Sequence, residues 1–151
     1  MRFLRTKELE ESWKNLIYPP KQLVGVSLDL TVKKIYSIKK QGTLDFGGSE
    51  YQPADLEPLS PKIEDDPKYG WWNLSRGTYI VEYNENLLKS ECLAIVYPNQ
   101  RLLHTGCCHP TFIVDPSKNS QPLQGLLSVD NQGIRIKENA RISTALCFKT
   151  Y

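Results

Sequence analysis

The densest group of potential metal ligands in this sequence is the run Cys107-Cys108-His109. Structural zinc sites space their ligands two to four residues apart, and neither Cys92 nor Cys147 supplies that spacing. The H-x-E and P-C-x-x-C signatures of zinc nucleobase deaminases are also absent. Adjacent cysteines are poor disulfide partners. We therefore expect four reduced thiols and no zinc.

No short motif names a reaction. The sequence holds no P-loop, dinucleotide-binding, H-E-x-x-H or G-x-S-x-G pattern. A Ser-His-Asp arrangement could use only His104 or His109, and no local pattern supports either. Both histidines are expected to be turn or packing residues.

Asp29 interrupts an alternating apolar run. The alternation places one set of side chains on a single strand face, namely Val24, Val26, Leu28, Leu30 and Val32. Asp29 lies on the opposite face, with Gly25, Ser27 and Thr31. Periodicity leaves open whether this carboxylate is solvated or belongs to a site.

The elements that would position these residues are mostly strands. Residues 7–17 have helical periodicity after Thr6, a potential cap, and Pro19-Pro20 ends the helix. Residues 40–70 form a long proline-containing excursion with a short hairpin near 43–46. Short strands follow, near 77–83, 92–97, 111–115, 123–129, 133–137 and 141–149. This pattern predicts a mainly β fold, an antiparallel sandwich or barrel with one short N-terminal helix.

Composition excludes several classes of protein. The chain has 151 residues and a formal net charge of +2, and its mean hydropathy is −0.44. One domain is expected at this length. The charge is too small to indicate a nucleic-acid partner, and no apolar run is long enough for a membrane span. No secretory signal is recognisable at the N-terminus, which predicts a cytoplasmic protein.

Three stretches in a fixed order resemble one known family. They are Tyr18-Pro19-Pro20 with Val24-Gly25-Val26-Ser27-Leu28-Asp29-Leu30, then residues 103–116 ending in Asp115-Pro116, then residues 134–142 with the strand 144–148. This order resembles the dCTP deaminases and the archaeal dUTPases. The resemblance covers most of the chain outside residues 33–76.

The resemblance implies a distorted β-barrel or jelly-roll subunit in a homotrimer, with deoxynucleoside triphosphate sites between subunits. It implies that Mg²⁺ arrives on the substrate triphosphate. By the same resemblance, Asp115 orients the attacking water and Asp29 assists either the metal or the site geometry. Arg101 and Lys118 contact phosphate. Asp130 is a further candidate catalytic residue, and the further candidates for substrate binding are Asn99, Gln100 and Gly106.

The sequence also departs from the family pattern. Alignment on Gly106 places Asn99-Gln100 where the family has Arg-Ser, and Arg101 follows two residues later. On a strand, that offset would restore the same face. The deaminase glutamate falls on residues 125–126 or on Asp130, so it is not retained. The chain ends at Tyr151 without the glycine-rich tail of trimeric dUTPases.

Two functions therefore stay open within the family. The first is hydrolysis of dUTP to dUMP and pyrophosphate, or processing of a related deoxynucleoside triphosphate. The second is a catalytically degenerate nucleotide-binding or structural paralogue of the same fold. An unrelated β-sandwich interaction module is the third alternative.

Overall fold

The computed structural model describes residues 1–118 and 122–150. Its helices are α1 (Thr6–Ser12), α2 (Pro19–Gln22) and α3 (Gln100–His104). Its strands are β1 (Arg2–Phe3), β2 (Trp13–Lys14), β3 (Leu23–Val24), β4 (Ser27–Lys40), β5 (Asp55–Pro58), β6 (Trp71–Leu74), β7 (Gly77–Tyr83), β8 (Asn86–Leu87), β9 (Cys92–Pro98), β10 (Phe112–Val114), β11 (Gln124–Val129), β12 (Ile134–Lys137) and β13 (Arg141–Lys149).

Six antiparallel strands form a nearly closed barrel in the order β10-β9-β13-β4-β7-β11. Cys108, which precedes β10, exchanges two backbone hydrogen bonds with Ser128 of β11, at 3.1 and 2.8 Å. This contact draws the two outer strands together. The mainly β, barrel-like fold predicted from the sequence is confirmed.

The alternation of side chains builds the core. Leu28, Leu30 and Val32 of β4 are fully buried, and so are Ala94 and Val96 of β9. Strand residues two apart share a face, so these strands turn one face inward and leave the other for polar groups. Asp29 lies on that other face.

The N-terminal helix is shorter than predicted. It ends at Ser12, and Trp13 begins β2, where it pairs with Leu87. The indole of Trp13 is buried, and its Nε1 donates to Cys147 Sγ at 3.1 Å. Burial of this side chain in the barrel outweighs the helical periodicity of residues 13–17.

The first predicted strand is also divided, and two residues of its apolar face lie at the surface. Gly25 adopts φ +61°, which glycine tolerates without steric cost. The chain reverses there, and Val24 pairs with Ser27. Val24 and Val26 are consequently exposed, although the alternation predicts them on one face with Leu28, Leu30 and Val32.

The excursion contains local structure. Thr43 and Gln52 exchange backbone hydrogen bonds, and β5 pairs with the end of β4. The indole of Trp72 is buried and donates to the carbonyl of Leu59 at 2.8 Å. Across residues 1–118 and 122–150, no helix has the length and apolar character needed to cross a membrane.

Candidate functional site

Asp29 is surrounded by protein donors. Its Oδ1 accepts from Thr144 Oγ1 at 3.0 Å and from Asn99 Nδ2 at 3.3 Å, and its Oδ2 accepts from Arg141 Nη1 at 3.3 Å. Thr144 lies directly opposite Asp29 because β13 pairs with β4 in that register. Both carboxylate oxygens are thus engaged, and the arrangement favours a positioning role for Asp29.

Asn99 joins this cluster to α3, a helix that the sequence analysis did not predict. Its Oδ1 accepts from the backbone N–H of Arg101 at 2.9 Å, which caps the helix. Its Nδ2 donates to Asp29 and to Thr144 Oγ1. The residue that the resemblance aligns with the family's arginine is therefore engaged at both ends of its amide.

Arg101 does not replace the missing arginine by a strand offset. It lies on α3, where each residue turns about 100°, so two positions separate it from Asn99 by roughly half a turn. Its side chain lines a cleft beside β12 and β13. Among residues 1–118 and 122–150, no carboxylate forms an ion pair with it. Gln100 is exposed at the start of the helix.

Asp115 follows β10 and is held by its own turn. Its Oδ1 accepts from Ser117 Oγ at 2.6 Å and from the Ser117 N–H at 3.0 Å. These bonds, with the Lys118 ammonium 3.9 Å from Oδ2, hold the pKa of Asp115 below its usual range. The carboxylate is consequently ionised near neutral pH. In this form it can accept a hydrogen bond from water or from a metal-bound group.

The structure does not bring Asp115 and Arg101 together within one chain. Val114 pairs with Ala94, so Asp115 lies level with Leu93 near the start of β9. Asn99 follows the other end of the same strand. Six strand residues separate the two levels, or roughly 20 Å at 3.3 Å per residue.

Asp130 lies at the far end of α3 instead. Gly106, at φ +85°, closes the helix, and a Cβ there would overlap the Asp130 carboxylate. Asp130 Oδ1 also accepts from the N–H of Gln132 at 3.0 Å. Within the described residues, the start of α3 is therefore surrounded by Asp29, Asn99 and Arg101. Gly106 and Asp130 lie at the end of this helix. Asp115 and Lys118 lie after β10, near the opposite end of β9.

Several residues around Arg101 were missed by the sequence analysis. The cleft has a volume of about 380 Å³. Its further cations are Arg135, Lys137 and Arg141, and Trp71 forms part of its wall. A signal was present, because Arg135 and Lys137 alternate with Ile134 and Ile136 and so share one strand face. Arg141 could not be assigned to Asp29 without the strand register.

No protein-family model matches the chain. A sequence relative is the "Probable deoxyuridine 5'-triphosphate nucleotidohydrolase" of Methanosarcina acetivorans, 32% identical over 128 residues, which cover 84% of this chain and 72% of the relative. The "Deoxyuridine 5'-triphosphate nucleotidohydrolase" of Methanocaldococcus jannaschii is 30% identical over 124 residues, covering 81% of this chain and 75% of the relative.

A solved structure shares the fold. The 2'-deoxycytidine 5'-triphosphate deaminase from Agrobacterium tumefaciens superposes with a TM-score of 0.65 over 96% of this chain, at 16% sequence identity. This chain spans 47% of the length of that protein.

Proposed function

Because this chain belongs to the superfamily of dUTPases and dCTP deaminases, we propose that it binds a deoxynucleoside triphosphate, with dUTP preferred, and turns it over weakly or not at all. The dUTP preference rests on the relatives' names. The weak turnover rests on the site residues, which keep an acceptor and a cation but lack the family's phosphate-binding pair.

The observation that carries this proposal is that the Asn99 amide is fully hydrogen-bonded within the protein. An arginine at this position would present a charged, forked donor to a phosphate. Asn99 has no charge, and both atoms of its amide are used inside the protein, by the N–H of Arg101, by Asp29 and by Thr144. Loss of one well-placed donor to a developing anion typically costs about 10²–10³ in rate. Gln100 stands where the resemblance places the serine hydroxyl.

The retained groups suit binding. Arg101 supplies a guanidinium that no described carboxylate neutralises, and Lys118 is a second exposed cation, 82% exposed at its side chain. Mg²⁺ would arrive with the triphosphate as part of the substrate. Proteins bind this ion through one or two carboxylates plus phosphate oxygens, and the ionised Asp115 fits that donor set.

The proposal excludes deamination of dCTP. The family's glutamate has no counterpart on β11, and Asp130 beyond the strand packs against Gly106. An aspartate has a shorter side chain than a glutamate, so its carboxyl group would lie closer to its own backbone. We expect no release of ammonia from dCTP.

Equilibrium titration with Mg²⁺ and each deoxynucleoside triphosphate tests the proposal. We expect saturable binding of dUTP, weaker binding of UTP, and a loss of about tenfold or more in affinity for Arg101→Ala, because a charged hydrogen bond is lost. Asp115→Asn should weaken the Mg²⁺ dependence of binding.

Arg76→Ala is the matched control, because Arg76 is an exposed arginine in the short turn between β6 and β7. It should bind dUTP as the unmodified chain does. Absence of saturable binding of any deoxynucleoside triphosphate would refute the proposed function.

A further inference from the structure

The cleft beside Arg101 is a basic groove with an apolar base. We use "basic groove" for the space of about 380 Å³ between α3 and the segment from β12 to β13. Apolar side chains of Leu102, Ile136 and Ile142 line it. Its four cations are Arg101, Arg135, Lys137 and Arg141. Apolar lining with a few convergent charged groups is typical of ligand sites of this size.

Trp71 organises two of these cations. The Arg135 guanidinium carbon lies 4.6 Å from the centroid of the Trp71 ring, and Lys137 Nζ lies 5.6 Å from it. The register of β12 with β6 places Lys137 opposite Trp71. Both cations therefore share one aromatic support, which restricts them to the edge of the basic groove.

The same two cations are occupied by carboxylates of one loop. Glu64 forms an ion pair with Arg135, and Asp66 Oδ2 lies 3.0 Å from Lys137 Nζ. We call residues 63–68 the acidic loop. Its base is fixed by paired backbone hydrogen bonds between Lys62 and Trp71, both 2.8 Å long.

The Arg135–Glu64 and Lys137–Asp66 ion pairs can open to let a ligand anion bind their cations. The ion pair between Arg141 and Asp29 is held more firmly. The Arg135 and Glu64 side chains are about half exposed, and those of Lys137 and Asp66 about one third. Solvent reaches both pairs, and pairs in contact with solvent contribute little to stability. Arg141 is different, because its Nη1 is held by Asp29 and by the carbonyl of Lys21 at 3.1 Å. Arg101 has no carboxylate partner in the described part of the chain and leaves one end of the basic groove open to an anion.

We propose that the basic groove holds the phosphate chain of the nucleotide, and that the acidic loop occupies Arg135 and Lys137 when no ligand is bound. Loop carboxylates and ligand phosphates then compete for the same two cations. A guanidinium fork and an ammonium group are the usual protein partners of phosphate oxygens. The inference rests on the proposed function for the identity of the ligand, and adds where its phosphates bind and what they displace.

Removal of the loop charges gives the most specific test. Glu64→Gln together with Asp66→Asn should tighten Mg²⁺–dUTP binding about 2- to 5-fold at low salt, because two competing ion pairs, one exposed and one partly exposed, are lost. Lys137→Ala and Arg135→Ala should each weaken it about 5-fold or more. A merely structural role for the loop would not give tighter binding.

Inorganic tripolyphosphate, titrated in parallel, separates the phosphate chain from the rest of the nucleotide. It should respond to the same variants in the same direction. Lys39 and Glu57 form a matched exposed ion pair on β4 and β5, outside the basic groove. Lys39→Ala and Glu57→Gln should leave both affinities unchanged, and thermal unfolding checks that each variant is folded.

The outcomes separate this inference from the proposed function. If the unmodified chain binds dUTP but the loop variant binds no more tightly, the competition inference is overturned while the proposed function stands. If tripolyphosphate binds and responds as expected but no nucleotide binds, the basic groove is supported as a phosphate site and the proposed function fails.

Discussion

At the scale of single residues, a buried hydroxyl–imidazole chain crosses the barrel interior. Ser143 Oγ lies 2.7 Å from His109 Nε2 and 2.7 Å from Tyr83 Oη. His109 Nδ1 lies 2.8 Å from the carbonyl of Pro110, which can only accept. Nδ1 therefore carries a proton, and in the neutral ring Nε2 accepts from Ser143. Burial lowers the pKa of His109 below its ordinary value.

This lowered pKa makes stability depend on pH in a defined direction. In the unfolded chain His109 titrates near pH 6.5, so below that pH the unfolded chain binds the proton more readily. The contribution of His109 is complete above about pH 7 and is lost as the pH falls through 6.5 toward the folded pKa. We expect His109→Gln to flatten the decline in the free energy of unfolding between about pH 7.5 and 5, measured by urea titration.

His104 is the internal control, since it is exposed on α3. His104→Gln should retain the pH slope of the unmodified chain. Equal slopes for all three proteins would contradict the assignment to His109.

Glu85 is a second buried group that the sequence analysis did not identify. Its carboxylate accepts from the Thr31 N–H at 2.8 Å, from Thr31 Oγ1 at 2.5 Å and from Gln22 Nε2 at 3.0 Å. Burial raises the pKa of Glu85, and these donors oppose that effect. Gln22 belongs to α2, so the carboxylate attaches the N-terminal segment to the barrel.

Glu85→Gln should therefore destabilise the protein at neutral pH. It places an amide N–H₂ next to the Thr31 N–H or to Gln22 Nε2, which can only donate, and an unsatisfied buried group costs about 1–3 kcal/mol. Urea unfolding measures this cost, with Glu91→Gln as an exposed control. An unchanged midpoint of urea unfolding for Glu85→Gln would contradict this account, because it would show that the second carboxylate oxygen of Glu85 is not needed.

At the scale of elements, α3 connects the two ends of the candidate site. Asn99 caps its start and Gly106 closes its end beside Asp130.

Gly106→Ala should lower the free energy of unfolding by about 1–2 kcal/mol through the left-handed backbone alone, with a further loss from overlap with Asp130. Adding Asp130→Ala to this variant should recover only the stability lost through overlap with the Asp130 side chain. Gly47→Ala, where a Cβ would meet open space, should be near neutral in the same unfolding assay.

Strand positions follow from local sequence signals, whereas the contacts around the candidate site do not. Gly77–Tyr83 and Arg141–Lys149 have the predicted bounds, because alternation and turn residues are local signals. The position of α3 was missed, since its five residues are too few for helical periodicity to show. The contacts of Asp29 depend on strand register and on a helix cap, neither of which a single sequence encodes locally.

At the scale of the whole molecule, the distance between Asp115 and Arg101 bears on assembly. Roughly 20 Å of strand separates their levels in one chain. A site that uses both groups therefore needs two copies, each contributing a different surface. Such a heterologous contact closes into a ring when the rotation allows it.

The predicted assembly is a homotrimer near three times the chain mass of 17.3 kDa. Light scattering at micromolar concentration should give that mass, and a mass of one or two chains would contradict it. Mixing Arg101→Ala with Asp115→Asn, after dissociation and reassembly, should partly restore dUTP binding. Mixed rings contain interfaces in which both residues are intact, whereas a site within one chain would not be restored.

The central claim is that the chain binds dUTP without processing it efficiently, and pyrophosphate release under single-turnover conditions tests it most directly. With protein in excess over bound dUTP, we expect a rate at or near the uncatalysed background, at least about 10²-fold below that of an active dUTPase in the same assay. Any residual rate should be lost in Arg101→Ala and in Asp115→Asn. Rapid pyrophosphate release that persists in both variants would contradict the account and place the chemistry on other residues.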